Sequence, residues 1–539
     1  MNSTLPSNNN IFRWLLVVGL MLLAGILRWL DIGTESLWVD EIYSYRQALK
    51  SVESIIANAP SDVHPPVYYI LLHWWTLVFG TSEAGLRGLS ALCGVVSVPL
   101  MYVLGKRVWN PRTGLFAAFL LTVSHFHIHY SQEARNYSYL ALVTIGGMLA
   151  FMRLLDEIKS ENVLTWRTIG WFLLANTLMM YSHFFALFVV VAQNVYIASL
   201  LVLDRPFFLR VWKRWFVLQI ALLLIFSPWL NILYWQIRVV RGGFWIDKPN
   251  VFTLIETLIE YAGSLAAALI FLPLCFLALV EIRKRVVESQ SVCIVQASNP
   301  HRIWLLTLWL ALTILIPYVL SLVGTPIYYV KYTIPALSAF LLLAAKGMDA
   351  WEWEGTWRKN WRTKGITVAL IGGICLIAAY NTRNDWNALE KEPWREAAEY
   401  LASATEQQDV VFVHDWYCLH NLSYYQRDSA SNGTSMYAPL QALPPERLRF
   451  TPQTWEWFYR SRVAGRDHIW LVLSHKIGKT QQLLDTIERE FVCTSDTVFP
   501  SRYRKYMVSD TFPLQTRGIF LMKTYLSNDI RVRRYERRK

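Results

Sequence analysis

Charge is scarce in this chain of 539 residues. Asp, Glu, Lys and Arg make up 17% of it, while 54% is hydrophobic and 14% aromatic. Soluble domains carry about 25% charge, so the composition excludes a set of ordinary soluble domains and fits a multi-span membrane protein. Cysteine is scarce too: the six residues show no metal-ligand spacing. Cys93, Cys275 and Cys375 fall in apolar runs and read as packing residues, and Cys293 lies in a basic loop. Cys418 and Cys493 lie in the C-terminal region, where a disulfide is permitted but no geometry predicts one. The sequence has no P-loop, no GxGxxG after a strand, no GxSxG and no HExxH. A cytoplasmic nucleotide site is therefore not expected. Internal repeats and long disordered linkers are also missing. No small-residue cleavage site follows the first apolar run, which is longer than the about 7–15 residues of a secretory h-region. It reads as an anchor that stays in place.

The net charge of +13 invites a nucleic-acid reading. The basic residues, however, sit in short clusters between apolar runs, which is the topogenic pattern of membrane proteins, and nucleic acid is excluded as a partner. The far end, Arg531 to Lys539, is a separate basic stretch. It reads either as a solvated, frayed end or as a contact with anionic lipid headgroups.

A spanning helix needs about 20 apolar residues. Runs near 11–30, 84–105, 114–131, 137–155, 167–181, 184–203, 215–233, 257–280, 303–323, 331–346 and 365–380 meet this, which predicts about eleven transmembrane helices. Residues 67–80 are apolar but short and read as a helix lying along the interface. With the N-terminus inside, the inner loops hold Lys106, Arg107 and Arg112, then Arg205, Arg210, Lys213 and Arg214, then Arg283, Lys284 and Arg285, then Lys346, Arg358, Lys359, Arg362 and Lys364. The outer loops hold fewer. This predicts a multi-pass protein of the plasma (inner) membrane with a cytoplasmic N-terminus. Residues 1–380 form the transmembrane domain. Residues 381–539 form an extracytoplasmic α/β domain, with strands at 409–413 and 468–473 and helices at 393–402 and 481–490.

Three clusters of polar residues land outside together. Asp40 and Glu41 follow the first apolar run. A carboxylate near a low-dielectric boundary has a raised proton affinity and can act as a general base. The same pair can also serve as the acidic N-terminus of an interfacial helix starting at Ile42. In a strand or turn the two side chains would point to opposite faces. Arg135, beside Glu133, can bind phosphate bidentately or simply anchor the interface. Lys331, among tyrosines, and Arg87, at the start of the second run, carry the same two readings. His64 is held in extended backbone before Pro65 and Pro66 and can meet a sugar or phosphate. His183 falls at an outer turn. His125 and His129 would share a helix face, so a divalent metal is compatible with the sequence, though no ligand set identifies one and no cofactor is assigned.

Taken in order, LWVDE (37–41), HPPVYYILLHWW (64–75), EAGLRGLSAL (83–92), SHFHIHYSQEARNYSYL (124–140), YSHFF (181–185) and VKYTIPALSAF (330–340) resemble the bacterial membrane glycosyltransferases of family 39. Those are relatives of the protein O-mannosyltransferases and of the lipid A aminoarabinose transferase, with the C-type glycosyltransferase fold. The resemblance implies inverting transfer of a sugar from a polyprenyl-phosphate-linked donor to a protein, lipid or cell-envelope glycan. It also implies that Asp40 is the catalytic carboxylate, with Glu41 beside it, and that Glu133 and Arg135 lie near the donor. Lys331 stands where many members carry Arg, so a point charge replaces a bidentate fork there. The donor, the acceptor and membrane lipid are the expected partners. Two other classes share the many spans: a polysaccharide polymerase or ligase, and a lipid-linked sugar transporter or flippase. The former would take a lipid-linked oligomer; the latter is expected to show repeats and midplane charges.

Overall fold

Apolar runs of this length become helices because only a helix satisfies its own backbone inside a bilayer. A computed structural model of the chain describes residues 8–160, 163–241, 246–289, 300–351, 361–386, 391–406, 409–414, 418–426, 435–437, 466–474, 480–500, 503–506, 523–526 and 529–538. Helices α1 Asn8–Trp29, α2 Val39–Ala48, α3 Val52–Asn58, α4 Val67–Phe79, α5 Glu83–Val108, α6 Pro111–Thr122, α7 His125–Ser131 and α8 Tyr137–Ser160 come first. They are followed by α9 Trp166–Met180, α10 Ala186–Leu203, α11 Arg205–Arg241, α12 Val251–Ala262, α13 Leu265–Ser289, α14 Pro300–Val323, α15 Leu337–Trp351 and α16 Trp361–Trp386. The remaining elements are α17 Trp394–Ala404, β1 Val410–His414, α18 Leu419–Gln426, β2 Ser435–Tyr437, β3 His468–Leu473, α19 Thr480–Ile487, β4 Phe491–Phe499, β5 Tyr503–Tyr506, β6 Lys523–Leu526 and β7 Ile530–Arg537. Two units separate: Met1–Ile32 with Gln47–Thr382, and Gly33–Arg46 with Arg383–Lys539.

The first unit is helical. Among the described residues, seven helices are long and apolar enough to cross a membrane, and an eighth counts if α12 and α13, bent by 92°, form one broken span. Gly263 makes that bend, with a φ of 92° that favours glycine. The other three expected spans form shorter helices. Residues 114–131 divide into α6 and α7, because Ser124 accepts from the His127 N–H and starts a new helix. Helix α9 has 15 residues, about 22 Å at 1.5 Å per residue, against about 30 Å of hydrocarbon. Thr367–Arg383 is likewise a short apolar helix, as is α4. The segment Val330–Ala350 is 94% buried and lies at the centre of the unit, whereas Asn10–Trp29 is 11% buried. Glycines allow the close helix crossings: a Cβ on Gly347 would lie 2.0 Å from the Leu274 carbonyl oxygen, and one on Gly105 would lie 2.8 Å from the Cα of Gly114.

The second unit is a mixed sheet in the order β2-β1-β3-β7-β4. Strands β1, β2 and β3 run parallel, and β7 pairs antiparallel with β3 and β4. One face packs Val411, Val413, Trp470, Val472, Ile530 and Val532 against Trp394 and Leu401 of α17 and Leu419 and Leu422 of α18. The other packs Val410, Phe412, Leu471 and Tyr535 against Ile487 of α19. This is the α/β domain that the sequence predicts. Its arginine-rich end is a correction: residues 530–537 are not a frayed tail but the strand between β3 and β4. Ile530, Val532 and Tyr535 are buried. Arg531 and Arg533 alternate with the apolar residues and share Asp496 at 3.5 and 3.0 Å, as a period-2 pattern requires. Cys418 is buried and Cys493 is exposed, and the two form no bridge; Cys293 lies outside the described residues.

Candidate active site

In the first unit, four loops bring His64, Arg135, His183 and Lys331 together. The His64 loop is shaped by Asp62, whose Oδ1 accepts from the N–H groups of Val63 and His64 at 2.6 and 3.2 Å. Gln236 donates to the carbonyls of Ala59 and Asp62 at 3.0 and 2.7 Å and holds the same loop. Arg135 sits in the turn between α7 and α8. The Ser90 hydroxyl donates to its carbonyl at 2.9 Å, and its guanidinium donates to the Tyr69 hydroxyl at 3.4 Å. Asn136 ties this turn to the His183 loop by donating to the Ser182 carbonyl at 2.7 Å. Lys331 lies in the 3₁₀ turn Val330–Ala336, which is pinned by the Tyr261 hydroxyl 2.6 Å from both oxygens of Thr333.

All four side chains are buried. The Lys331 ammonium lies 5.3, 5.4 and 6.0 Å from the ring centres of Tyr137, Tyr329 and Tyr332. Those rings soften the cost of burying its charge. The rings of His64 and His183 are 5.1 Å apart, and Tyr332 lies 5.0 Å from His183. Burial holds His64 well below the usual imidazole range, with Arg135, His183 and Lys331 adding to the effect. Burial, then Arg135, then Lys331, push His183 down to about 3. Both imidazoles are therefore neutral at pH 7. His183 Nδ1 accepts from the Phe185 N–H at 3.1 Å, so the proton sits on Nε2. His183 Nε2 and His64 Nδ1 are buried without a hydrogen-bond partner. Such atoms are costly unless a ligand or water meets them.

The neutrality of His183 makes stability depend on pH. Its folded value, near 3, lies below the unfolded value of about 6.5. The unfolded chain then binds more protons in acid, and stability is lost as pH falls from 6.5 toward 3. At about 1.4 kcal/mol per unit, His183 alone is expected to cost about 2 kcal/mol between pH 6.5 and 5. Unfolding midpoints in detergent at the two pH values measure this. His183→Asn keeps an acceptor for Phe185 and should shrink the acid shift; an unchanged shift would assign it to other groups.

The other expected residues are placed differently. Glu133 is buried, with Oε1 3.5 Å from His129 Nε2. Arg87 donates to the Ile32 carbonyl at 2.8 Å and holds the end of α1. His127, between His125 and His129, meets Arg28 at 2.9 Å. Among the described residues, no group of three or more His, Cys, Asp or Glu could hold a metal ion.

Asp40 and Glu41 belong to the second unit. Helix α2 starts at Val39, not Ile42, so both acids lie in its first turn. On a helix, neighbours diverge by about 100° rather than pointing oppositely. Glu41 is fully buried, 3.4 Å from the Lys391 ammonium. Asp40 is half-buried. Tyr69, Tyr137, Tyr332 and Lys391 escape a reading of single residues. The tyrosines lie inside the quoted motifs, whereas nothing local marks Lys391.

Residues 63–235 match the family described as dolichyl-phosphate-mannose-protein mannosyltransferase. No curated protein sequence matches the chain. Among solved structures, ArnT from Cupriavidus metallidurans in the apo state is 12% identical, with a TM-score of 0.59 over 98% of both chains. The same protein bound to undecaprenyl phosphate is 12% identical, with a TM-score of 0.58 over 96% of this chain and 97% of that one. The oligosaccharyltransferase of Archaeoglobus fulgidus with zinc and sulfate is 13% identical, with a TM-score of 0.52 over 95% and 72%. With its helical core, its C-terminal sheet domain and these matches, the chain is a multi-pass membrane protein with the C-type glycosyltransferase fold, similar in structure to ArnT, and its residues 63–235 resemble the mannosyltransferase family.

Proposed function

We propose that the protein is an inverting glycosyltransferase. It moves a sugar from a polyprenyl-phosphate donor to a hydroxyl of a protein, lipid or cell-envelope glycan at the outer face of the plasma membrane. One observation carries the reading. Arg135 and Lys331, two buried cations, act on the same two neutral histidines, His64 and His183. Two cations gathered at one buried cluster of a membrane protein suit a bound anion. A lipid phosphate supplies one while its chain stays in the bilayer. ArnT, which shares the fold, has been solved with undecaprenyl phosphate.

In the reaction, the acceptor oxygen attacks the anomeric carbon opposite the phosphate and the bond to the phosphate breaks. Asp40 takes the hydroxyl proton. Negative charge grows on the leaving phosphate, where Arg135 and Lys331 offset it. The Nε2–H of His183 is a neutral donor suited to a phosphate or sugar oxygen. Glu133, through His129, braces the turn that carries Arg135. Glu41 is assigned a structural part beside Asp40.

Arg135→Ala tests the donor assignment. A charged hydrogen bond is worth about 1.5–3 kcal/mol, so transfer at limiting donor should fall roughly 10–100-fold and undecaprenyl phosphate should bind correspondingly more weakly. Arg135→Lys keeps the charge but loses the fork, and should fall between the two. Near-normal binding and transfer in both variants would reduce Arg135 to an anchor of the turn.

A further inference from the structure

The residues that precede Asp40 are built into the C-terminal domain. Arg395, in the first turn of α17, donates through its guanidinium to the carbonyls of Thr34 and Gly33 at 2.9 and 3.3 Å. Its backbone N–H donates to the Ser36 hydroxyl at 3.1 Å, and that hydroxyl donates to Glu396 at 3.3 Å. Asn421 and Tyr425 lie four residues apart on α18, on one helix face. Asn421 donates to the Leu37 carbonyl at 3.2 Å, and the Leu37 N–H donates to the Tyr425 hydroxyl at 2.6 Å. The Arg395 guanidinium covers the Tyr425 ring at 5.7 Å. Val39 packs on the core of the domain. Tyr45 meets Tyr424 edge-on at 5.0 Å.

The last contact fixes rotation. Glu41 is fully buried on Lys391. A buried ion pair is a poor source of stability compared with apolar packing, and its best use is to specify one arrangement. Asp40 precedes Glu41 on the same helical turn. Anchoring Glu41 therefore sets the direction in which Asp40 points.

We propose that the C-terminal domain positions the catalytic carboxylate: Arg395, Asn421 and Tyr425 hold the start of α2, and Lys391, acting through Glu41, fixes the orientation of Asp40. This rests on the assignment of Asp40 as the base. Lys391 is assigned the part of a positioning residue, acting through Glu41. Misplacement of a reacting group by about 1 Å can cost about 10²-fold in rate.

The test measures initial rates of sugar transfer in membrane vesicles of the native host lacking its own copy, with the full chain supplied as variants. Binding of undecaprenyl phosphate to the purified, folded protein is the second readout. Lys391→Met breaks the buried pair with Glu41, so it should lower stability and, per folded molecule, slow transfer about 100-fold with undecaprenyl phosphate binding unchanged, since turnover and not donor affinity is affected. Exchanging the pair, Glu41→Lys with Lys391→Glu, should restore transfer to within about tenfold, because a re-formed pair re-anchors the helix. Full transfer by Lys391→Met overturns the proposal. So does an exchanged pair that restores neither folding nor transfer, or that folds without transferring sugar, which would give the Glu41 carboxylate a chemical part of its own. Asp40→Asn separates the two readings. If it is inert while Lys391→Met is active, only the positioning role fails. If it is active, the general-base assignment fails.

Discussion

Asp40→Asn protein is expected to insert and fold like the wild type, and to transfer sugar about 10²–10⁴-fold more slowly, the usual effect of removing a general base. The side chain keeps its size but loses its charge and the ability to take a proton. Its surroundings favour a clean result. Asp40 is half-buried in the first turn of α2, so the change forfeits a helix-dipole interaction of about 0.3–1 kcal/mol and empties no core. Glu41→Gln should behave in the opposite way. Glu41 is fully buried on Lys391, and losing its charge breaks a buried ion pair, which destabilises the fold. A capping role for the acidic pair makes a different forecast for Asp40→Asn: a stability loss of about 0.5–2 kcal/mol with activity per folded molecule intact. Transfer rates normalised to folded protein by size exclusion decide. Near-normal specific activity for Asp40→Asn would remove the catalytic assignment.

The polar residues of the site were legible because each sits in a short motif beside an apolar run. His64 before two prolines, Arg135 in a polar turn and Lys331 among tyrosines stand out from hydrophobic surroundings, and the fold brings these three to His183. What the sequence hid is tertiary. Nothing local tells that residues 33–46 fold with the domain that begins at Arg383, or that Lys391 answers Glu41. Breaks inside apolar runs were hidden for another reason. Hydropathy is blind to the Ser124 cap that divides residues 114–131 and to the left-handed Gly263 that bends α12 against α13 by 92°. The arginines of β7 concealed a strand because their charge outweighs, in any averaged measure, the buried Ile530, Val532 and Tyr535 between them.

Arg28 is the most consequential residue that single-residue reading passes over. At the end of an apolar run it has the look of an interfacial anchor, yet it is fully buried. Its guanidinium donates to the carbonyls of Leu121 and Thr122 at 3.0 and 3.2 Å and lies 2.9 Å from His127 Nδ1. Leu121 and Thr122 end α6, where the last carbonyls of a helix have no partner of their own. Arg28 thus closes α6 and, through His127, fixes α7 and the approach to the turn that carries Glu133 and Arg135. Gln132 reinforces the link by donating to the Leu30 carbonyl at 2.9 Å. Arg28→Met should leave three buried acceptors without a donor, at about 1–3 kcal/mol each, or roughly 3–9 kcal/mol together. Whole domains are stable by about 5–15 kcal/mol, so folded protein should largely disappear from detergent extracts run by size exclusion. Arg28→Lys keeps one charge without the fork and should be intermediate. Gly94→Ala offers an independent route to the same clamp. A Cβ there would lie 2.3 Å from the Ser131 hydroxyl and 2.7 Å from Arg28 Nε, so the guanidinium must shift, and stability should fall in the same direction. If Arg28→Met and Gly94→Ala both melt within about 1 °C of the wild type, where a loss of even 1 kcal/mol would shift the midpoint by several degrees, the break between α6 and α7 stands without the clamp.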